Sequence, residues 1–324
     1  MTVAQLGYGT DTGKKRRRNE DDYVVEPPLF AIADGMGGAQ AGELASSLAA
    51  GAVREDEGAE GSGERRVTEI IQEANRRVYQ RSSQDAAASG MGTTMTVALV
   101  GDGSVVFGHV GDSRAYLIRD GRLEQLTEDH SLVAELVRSG KLSPEEAETH
   151  PQRSVITRAL GTDPDVDVDV DSIETVPGDL FMLCSDGLTS MVEDDVILQT
   201  IEKNRDNLQA AAKALIRAAN KGGGEDNITV VFFEIGPDNG EPLEETAQYP
   251  VLGADGDGEL DEDTLDELDR VPALDTMVVP PGEAQASFAG EPKRRARSRL
   301  IPALLLILFA LAIIAVVLWT VRGR

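Results

Sequence analysis

The first 236 residues predict an α+β fold in which helices pack on the outside of antiparallel sheet, and two observations carry that prediction. Strand signals and helix signals alternate along this region, and several strands are joined by turns too short for a crossover helix. The dipeptide Asp120-Gly121, between Ile118 and Leu123, is such a turn. A doubly wound parallel sheet is therefore disfavoured.

Taken in order, residues 23–25 and 29–33 read as strands, the second being Leu-Phe-Ala-Ile-Ala ended by Asp34-Gly35. An Ala-rich stretch at 41–50 predicts a helix. So does 64–81, whose apolar residues Val67, Ile70, Ile71, Ala74 and Val78 fall at helical spacing. Strands follow at 94–100, 105–110 and 115–118, each rich in Val, Thr or Ile. A short helix is expected at 132–139, a strand at 179–184, a helix at 207–220 behind Asn207, and a strand at 228–235.

The net charge of −26 over 324 residues divides the chain further. Residues 1–236 carry −18, residues 237–292 carry −15, and residues 293–324 carry +7. A catalytic-sized acidic region without a basic stripe is a poor nucleic-acid binder, because phosphate neutralisation dominates that affinity. Most of its acid serves as solvated surface, which leaves a few carboxylates available to hold hard cations. Cys184 is the single cysteine, so no intramolecular disulfide forms, and its apolar setting reads as a buried inert thiol.

No apolar core marks the N-terminus as a secretory signal. Residues 1–236 read as the catalytic domain, 237–292 as an acidic disordered linker rich in Asp, Glu, Gly and Pro, and 293–299 as a basic juxtamembrane segment. The uncharged run 300–319, within a transmembrane helix drawn at 300–320, spans roughly 30 Å at 1.5 Å per residue. Lys293, Arg294, Arg295, Arg297 and Arg299 outnumber Arg322 and Arg324, which places the large N-terminal region in the cytoplasm of a single-pass protein with 321–324 outside. The basic cluster is also drawn to anionic headgroups. Within the linker, 255–261 has the spacing of a calcium loop but carries Leu260 where glycine is required. Thr246 and Thr276 lie beside acids, as many unmodified threonines do.

Four acidic motifs sit at strand ends: Asn19-Glu20-Asp21, Asp34-Gly35, Ser185-Asp186-Gly187 and Glu225-Asp226-Asn227. One Asp-Gly pair alone is ordinarily a turn. Several carboxylates gathered from different strands would repel and partly protonate, unless Mg²⁺ or Mn²⁺ resolves the repulsion with oxygen ligands. Three His and one Cys supply a zinc site poorly.

The ordered set Arg16-x-x-Asn19-Glu20-Asp21, Asp34-Gly35-Met36-Gly37-Gly38, Met91-Gly92-Thr93-Thr94, Gly111-Asp112-Ser113-Arg114, His150-Pro151-Gln152-Arg153, Ser185-Asp186-Gly187 and Asp226-Asn227 resembles the metal-dependent, type 2C serine/threonine protein phosphatases, especially bacterial ones. The resemblance covers nearly all of 5–235, and its membrane-anchored branch includes phosphatases that oppose bacterial Ser/Thr kinases, here without an extracellular domain. It implies a four-layer sandwich of two central antiparallel sheets flanked by helices.

It also implies two core Mn²⁺ or Mg²⁺ ions. Asp34 bridges them, the Gly35 carbonyl joins the second, and Asp186 and Asp226 hold the first. Glu20 supports the second, with Asp21 the alternative. Asp112 resembles a ligand of a third, weaker ion shared with Asp186. Arg16 holds the substrate phosphate as a bidentate donor, while Lys14, Lys15, Arg17 and Arg18 read as solvated charges.

A water bridging the ions is deprotonated and attacks phosphorus in line, so no side chain is phosphorylated. Eukaryotic relatives place a histidine where this chain has Met36, which moves leaving-group protonation to a metal-bound water. His109 and His130 are alternatives for that proton, and each reads first as a packed residue. Residues 127–161 form a flap over the site, shaped by His150 and Arg153. The implied partners are phosphorylated proteins, including Ser/Thr kinases and their substrates. Other readings are a narrow-specificity phosphatase of a sigma-factor cascade, an inactive membrane-tethered phosphoprotein scaffold, and a two-metal phosphodiesterase. No carboxylate of the metal set is missing, which disfavours the scaffold, and no basic track exists for the phosphodiesterase.

Overall fold

A five-stranded and a six-stranded sheet lie face to face in the structure, a computed structural model that describes residues 2–37, 41–58, 61–101, 103–237 and 277–278. The chain divides into two units, Met1–Pro280 and Pro281–Arg324, and every described residue belongs to the first.

The elements in chain order are β1 (Val3–Asp11), β2 (Asp21–Glu26), β3 (Leu29–Met36), α1 (Ala41–Arg54), α2 (Gly63–Gln84), β4 (Gly92–Thr93), β5 (Met95–Val100), β6 (Ser104–Val110), β7 (Arg114–Arg119), β8 (Arg122–Gln125), α3 (Leu132–Arg138), α4 (Pro144–Glu148), β9 (Val155–Ile156), β10 (Asp169–Glu174), β11 (Leu180–Cys184), α5 (Asp186–Thr189), α6 (Asp194–Lys203), α7 (Leu208–Gly222), β12 (Ile228–Ile235) and β13 (Met277–Val278). One sheet runs β1-β12-β11-β7-β8 and the other β10-β6-β5-β3-β2, with β4 against β3. Every pairing within them is antiparallel, as the short turns predict. The two residues of β13 pair in parallel with β9.

Strands β5 and β11 are buried at every position and β3 and β12 at nearly every one, because each meets the opposite sheet on one face and helices on the other. Their apolar runs are therefore continuous rather than alternating. Between the sheets, Phe30 stacks on Phe233 at 4.2 Å and Phe233 on Phe181 at 5.1 Å, each ring removing a large apolar surface from water. On one outer face, Ala49, Ala52 and Val53 of α1 and Val67, Ile71 and Ala74 of α2 pack on Val97 and Val110. On the other, Ile197 and Ile201 of α6 and Leu215 of α7 pack on Met182, Val230 and Phe232. The result is the four-layer sandwich.

The β7–β8 turn has Asp120 at φ 52° and Gly121 at φ 69°, the positive pair that a two-residue hairpin needs to match strand twist. Helix α2 starts behind Ser62, whose hydroxyl accepts from the Arg65 N–H. Among the elements the sequence analysis does not read are β1, β10 and α6. In β1 the cause is visible, since a Cβ on Gly7 would sit 2.2 Å from the Leu208 carbonyl carbon. Close approach of α7 demands a glycine there, and glycine weakens the strand signal. Among the described residues no helix is long and apolar enough to cross a membrane. The predicted segment 300–320, its flanks 293–299 and 321–324, the loop 255–261, Thr246 and Thr276 lie outside the described residues.

Candidate metal centre

Strand register assembles the site. In one sheet, antiparallel pairing of β2 and β3 sets Asp21 opposite Asp34. In the other, Cys184 pairs with Val230, so Ser185-Asp186 leaves β11 beside Asp226-Asn227 as it enters β12. Asp21 joins the two sheets at this end: its Oδ2 accepts from Ser185 Oγ at 2.9 Å and from Thr229 Oγ1 at 2.6 Å.

Asp112 lies in the turn between β6 and β7. The hydroxyls of its neighbour Ser113 and of Thr94 are 2.8 Å apart, and Thr94 Oγ1 accepts from the Asp34 N–H at 3.1 Å. Thr93 Oγ1 donates to the Asp34 carbonyl at 2.8 Å. The Met91-Gly92-Thr93-Thr94 motif thus fixes the backbone of Asp34, a role its sequence does not disclose.

Gly35 and Gly42 meet where α1 approaches β3. A Cβ on Gly42 would lie 2.8 Å from Glu20 Oε1 and 2.9 Å from the Gly35 carbonyl oxygen, so those two oxygens share one small space. This fits Glu20, rather than Asp21, as the side chain that joins the Gly35 carbonyl. Asp21 is already engaged by two hydroxyls.

Arg16 Nη2 donates to Asp226 Oδ2 at 2.8 Å. Burial works against the guanidinium charge, but Asp226, Asp34 and Glu20 outweigh it and raise the Arg16 pKa. Asn227 clips the chain before the site: its Nδ2 donates to the Thr12 and Arg18 carbonyls at 3.0 and 2.9 Å, and its Oδ1 accepts from the Glu20 N–H at 2.8 Å.

The electrostatics are those of crowded acid. Burial, then the charges of Asp21, Asp186, Asp226 and Asp112, hold the Asp34 carboxyl well above the ordinary range. Burial and then Asp112, Asp226 and Asp21 do the same to Asp186, against the pull of Arg16. Burial pushes Asp21 up to about 6 and, with Asp129, Asp112 up to about 7. Asp21 Oδ1 and Asp186 Oδ1 are buried acceptors with no hydrogen-bond partner. As placed, no three carboxylate, histidine or cysteine side chains among the described residues close round a single point. They face one another at distances over which their charges are still felt. Oxygen donors only, mutual repulsion and orphaned oxygens are what a pair of hard divalent ions relieves, so the residues fit such a group.

A groove of about 760 Å³ opens from Asp112 and Asp186 and runs under α3 and α4, past Arg114, Ser131, Arg138 and Arg153. This is the expected flap. His130 anchors it, donating its N–H to the Gly111 carbonyl at 2.7 Å and accepting the Gly111 N–H on Nδ1 at 3.0 Å. Arg153 reaches Glu225 at 3.8 Å, and His150 Nδ1 accepts from the Gln152 N–H within its own turn. His109 is held between Thr96 Oγ1 and the Glu128 carbonyl, and burial lowers its pKa to about 4. Both His109 and His130 are packed residues rather than proton donors to a leaving group. Met36 packs with Ile156 and Ala159.

Residues 9–221 match the family model described as protein phosphatase 2C. The chain belongs to the protein phosphatase 2C family. Its activity is accordingly metal-dependent dephosphorylation of phosphoserine and phosphothreonine in proteins. It is 40% identical over 239 residues to the serine/threonine phosphatase stp of Listeria monocytogenes serovar 1/2a, covering 70% of this chain and 94% of that one. Against the serine/threonine protein phosphatase PstP of Mycobacterium tuberculosis H37Rv it is 38% identical over 235 residues, 72% of this chain and 45% of that longer one. The crystal structure of M. tuberculosis PstP/Ppp superposes with a TM-score of 0.69 at 38% identity, covering 72% of this chain and all of that one (100%). A PstP catalytic domain solved with two manganese ions gives 0.68 at 35% identity, covering 73% and 100%.

Proposed function

We propose that this protein phosphatase 2C chain is a membrane-tethered enzyme of the bacterial type that opposes Ser/Thr protein kinases. It uses two core Mn²⁺ or Mg²⁺ ions at Asp34, the Gly35 carbonyl, Asp186, Asp226 and Glu20, with a third, weaker ion at Asp112 and Asp186. The observation that supports the reading is the meeting of five mutually repelling acids, Asp21, Asp34, Asp112, Asp186 and Asp226, at five strand ends, with Arg16 paired to one of them.

When bound, the ions supply an activated water and neutralise charge on the phosphoryl group. The chain supplies the rest. Asp226 fixes the plane of Arg16, whose remaining N–H donors suit two phosphate oxygens. The Ser185 and Thr229 hydroxyls hold Asp21 against Asp34, and the Thr93 and Thr94 hydroxyls hold the Asp34 backbone, so the acids keep their positions without reorganising during the reaction. With His109 and His130 tied into the fold, the leaving oxygen takes its proton from water in the open groove.

Membrane attachment rests on the uncharged run 300–319 and its basic flank, which together put the catalytic domain on the cytoplasmic side. Hydrolysis of a phosphothreonine peptide by the purified chain, with and without Mn²⁺ and beside D34N and D186N, tests the chemistry. Activity that needs the ion and disappears in both variants is expected; ion-independent activity overturns the assignment. Recovery in the membrane fraction after carbonate washing tests the anchor, and release into the soluble fraction sinks it.

A further inference from the structure

Arg16 is the middle of five consecutive basic residues, Lys14 to Arg18, in a region whose balance is −18. The reaction uses one of them. The loop that bears them is fixed at both ends. The Lys14 and Lys15 N–H groups donate to the Gly224 carbonyl at 2.7 and 3.2 Å, and Gly13 N–H donates to Asp11 Oδ1 at 2.9 Å. Asn227 then clips Thr12 at one end and Arg18 at the other, at 3.0 and 2.9 Å.

Held this way, the loop turns Arg16 inward, its side chain 22% exposed against Asp226, while Lys14, Lys15, Arg17 and Arg18 lie on the exposed side. Arg18 makes a long contact of 3.6 Å with Glu43, and both partners are more than half exposed at 52% and 56%. The groove under the flap has Glu128, Asp129, Glu148, Glu193 and Asp194 on its walls beside Arg114, Arg138 and Arg153, with Arg114 paired to Asp129 and Arg138 to Glu128. The mouth is therefore cationic on the loop and of mixed charge along the groove.

We propose that this clipped cationic rim selects phosphopeptides that carry further negative charge, carboxylate or second phosphate, within a few residues of the scissile phosphoserine or phosphothreonine. The inference rests on the phosphatase reading and specifies its substrate class. An extended chain advances about 3.3 Å per residue, so groups two to four positions from the scissile residue lie roughly 7–13 Å away. That is about one screening length at 0.1 M salt, near 10 Å, so rim charges act on them directly. Because backbone hydrogen bonds already order the loop, little entropy is lost when its cations are engaged. Elsewhere the acidic surface repels such a substrate, which sharpens the preference for the loop side.

The test compares kcat/KM of the full chain on three phosphothreonine peptides with Mn²⁺: one flanked by glutamates, one bearing a second phosphate, and one with neutral flanks. Each is run for the natural protein and for K14S/K15S/R17S. The charged peptides are expected to be preferred about tenfold at low salt, with the preference falling to within about twofold in the variant and near 1 M salt. The neutral-peptide rate and the melting temperature stay unchanged. A preference confined to the doubly phosphorylated peptide assigns the rim to phosphate, and one shared by both charged peptides assigns it to charge in general; either supports the proposal. Equal rates on all three peptides overturn it, as does a preference that survives in the variant. A gain on every peptide in the variant also overturns it, giving the rim to the chain's own acidic residues 237–292. Failure of the natural protein on all three peptides indicts the phosphatase reading instead. The single variants K15S and R17S, scored the same way, keep the test valid should the triple variant lose its fold.

Discussion

Asp34 is the residue at which stability and function oppose each other. Burial and four neighbouring acids hold its carboxyl well above the ordinary range, so its charge is costly unless cations share it. D34N should lower phosphopeptide hydrolysis by at least about a thousandfold, the scale expected when a core metal ligand and its electrostatic stabilisation are lost. In chelator the same variant should melt at the same temperature as the natural protein or higher, because one repelling charge is gone; a clear drop would refute the repulsion argument. The pH dependence has a defined sign. Asp21 and Asp112 rise to about 6 and about 7 in the folded state, from 3.8. Groups so raised contribute stability that is full below the unfolded value and lost as pH rises through the folded one. Chelated protein should therefore lose melting temperature as pH rises from about 4 to about 7, and saturating Mn²⁺ should flatten that slope. Asn227 has the opposite character. N227A leaves two loop carbonyls and the Glu20 N–H without their partner. It should cost about 1–3 kcal/mol of stability and slow hydrolysis together, read by chemical denaturation and by kcat.

At the scale of elements, two contacts carry the site. Helix α1 presses Gly42 against Gly35 of β3, leaving room for the Glu20 carboxylate and the Gly35 carbonyl only because neither glycine has a side chain. G42A should keep the fold, whose core lies elsewhere, but raise the Mn²⁺ concentration for half-maximal activity by about tenfold or more; an unchanged metal requirement would remove Glu20 and Gly35 from the ion site. The sheet formed by β5, β6 and β10 carries the flap through His109 and His130. Burial, then the neighbouring His130, holds the His109 pKa at about 4, below 6.5. A depressed histidine gives stability that is present above its unfolded pKa and lost as pH falls through the folded one. The difference in unfolding free energy between the natural protein and H109Q should thus shrink as pH falls from about 6.5 toward 4, as followed by urea denaturation.

For the whole molecule, ion binding and folding are coupled, since carboxylates from both sheets meet only in the native state. Mn²⁺ at about a hundred times its dissociation constant should stabilise the protein by about 2.7 kcal/mol, raising the melting temperature by several degrees in calorimetry. D186N should lose most of that rise. The fold was largely legible because both sheets are covered on both faces, which turns β3, β5, β11 and β12 into apolar runs that need no context to recognise. Strand β1 was not, because α7 lies on Gly7, and β10 was not, because an edge strand reading Asp-Val-Asp-Ser-Ile-Glu faces solvent over most of its length.

The site was legible in its residue types and less so in their roles. The sequence by itself determined which acids were available, their placement at strand ends, and the polarity of the chain from acidic domain to basic flank to apolar run. It did so because ligand chemistry and strand propensity are local properties. The tertiary structure alone decided that Glu20 rather than Asp21 shares space with the Gly35 carbonyl, and that Asp21 spans the two sheets through Ser185 and Thr229. It also decided that Asn227 clips the basic loop and that His109 and His130 belong to packing. The Asp21 and Asn227 contacts depend on which atoms meet between segments more than 160 residues apart, as between Asp21 and Ser185, where separation is 164. Only the register of two packed sheets sets such meetings.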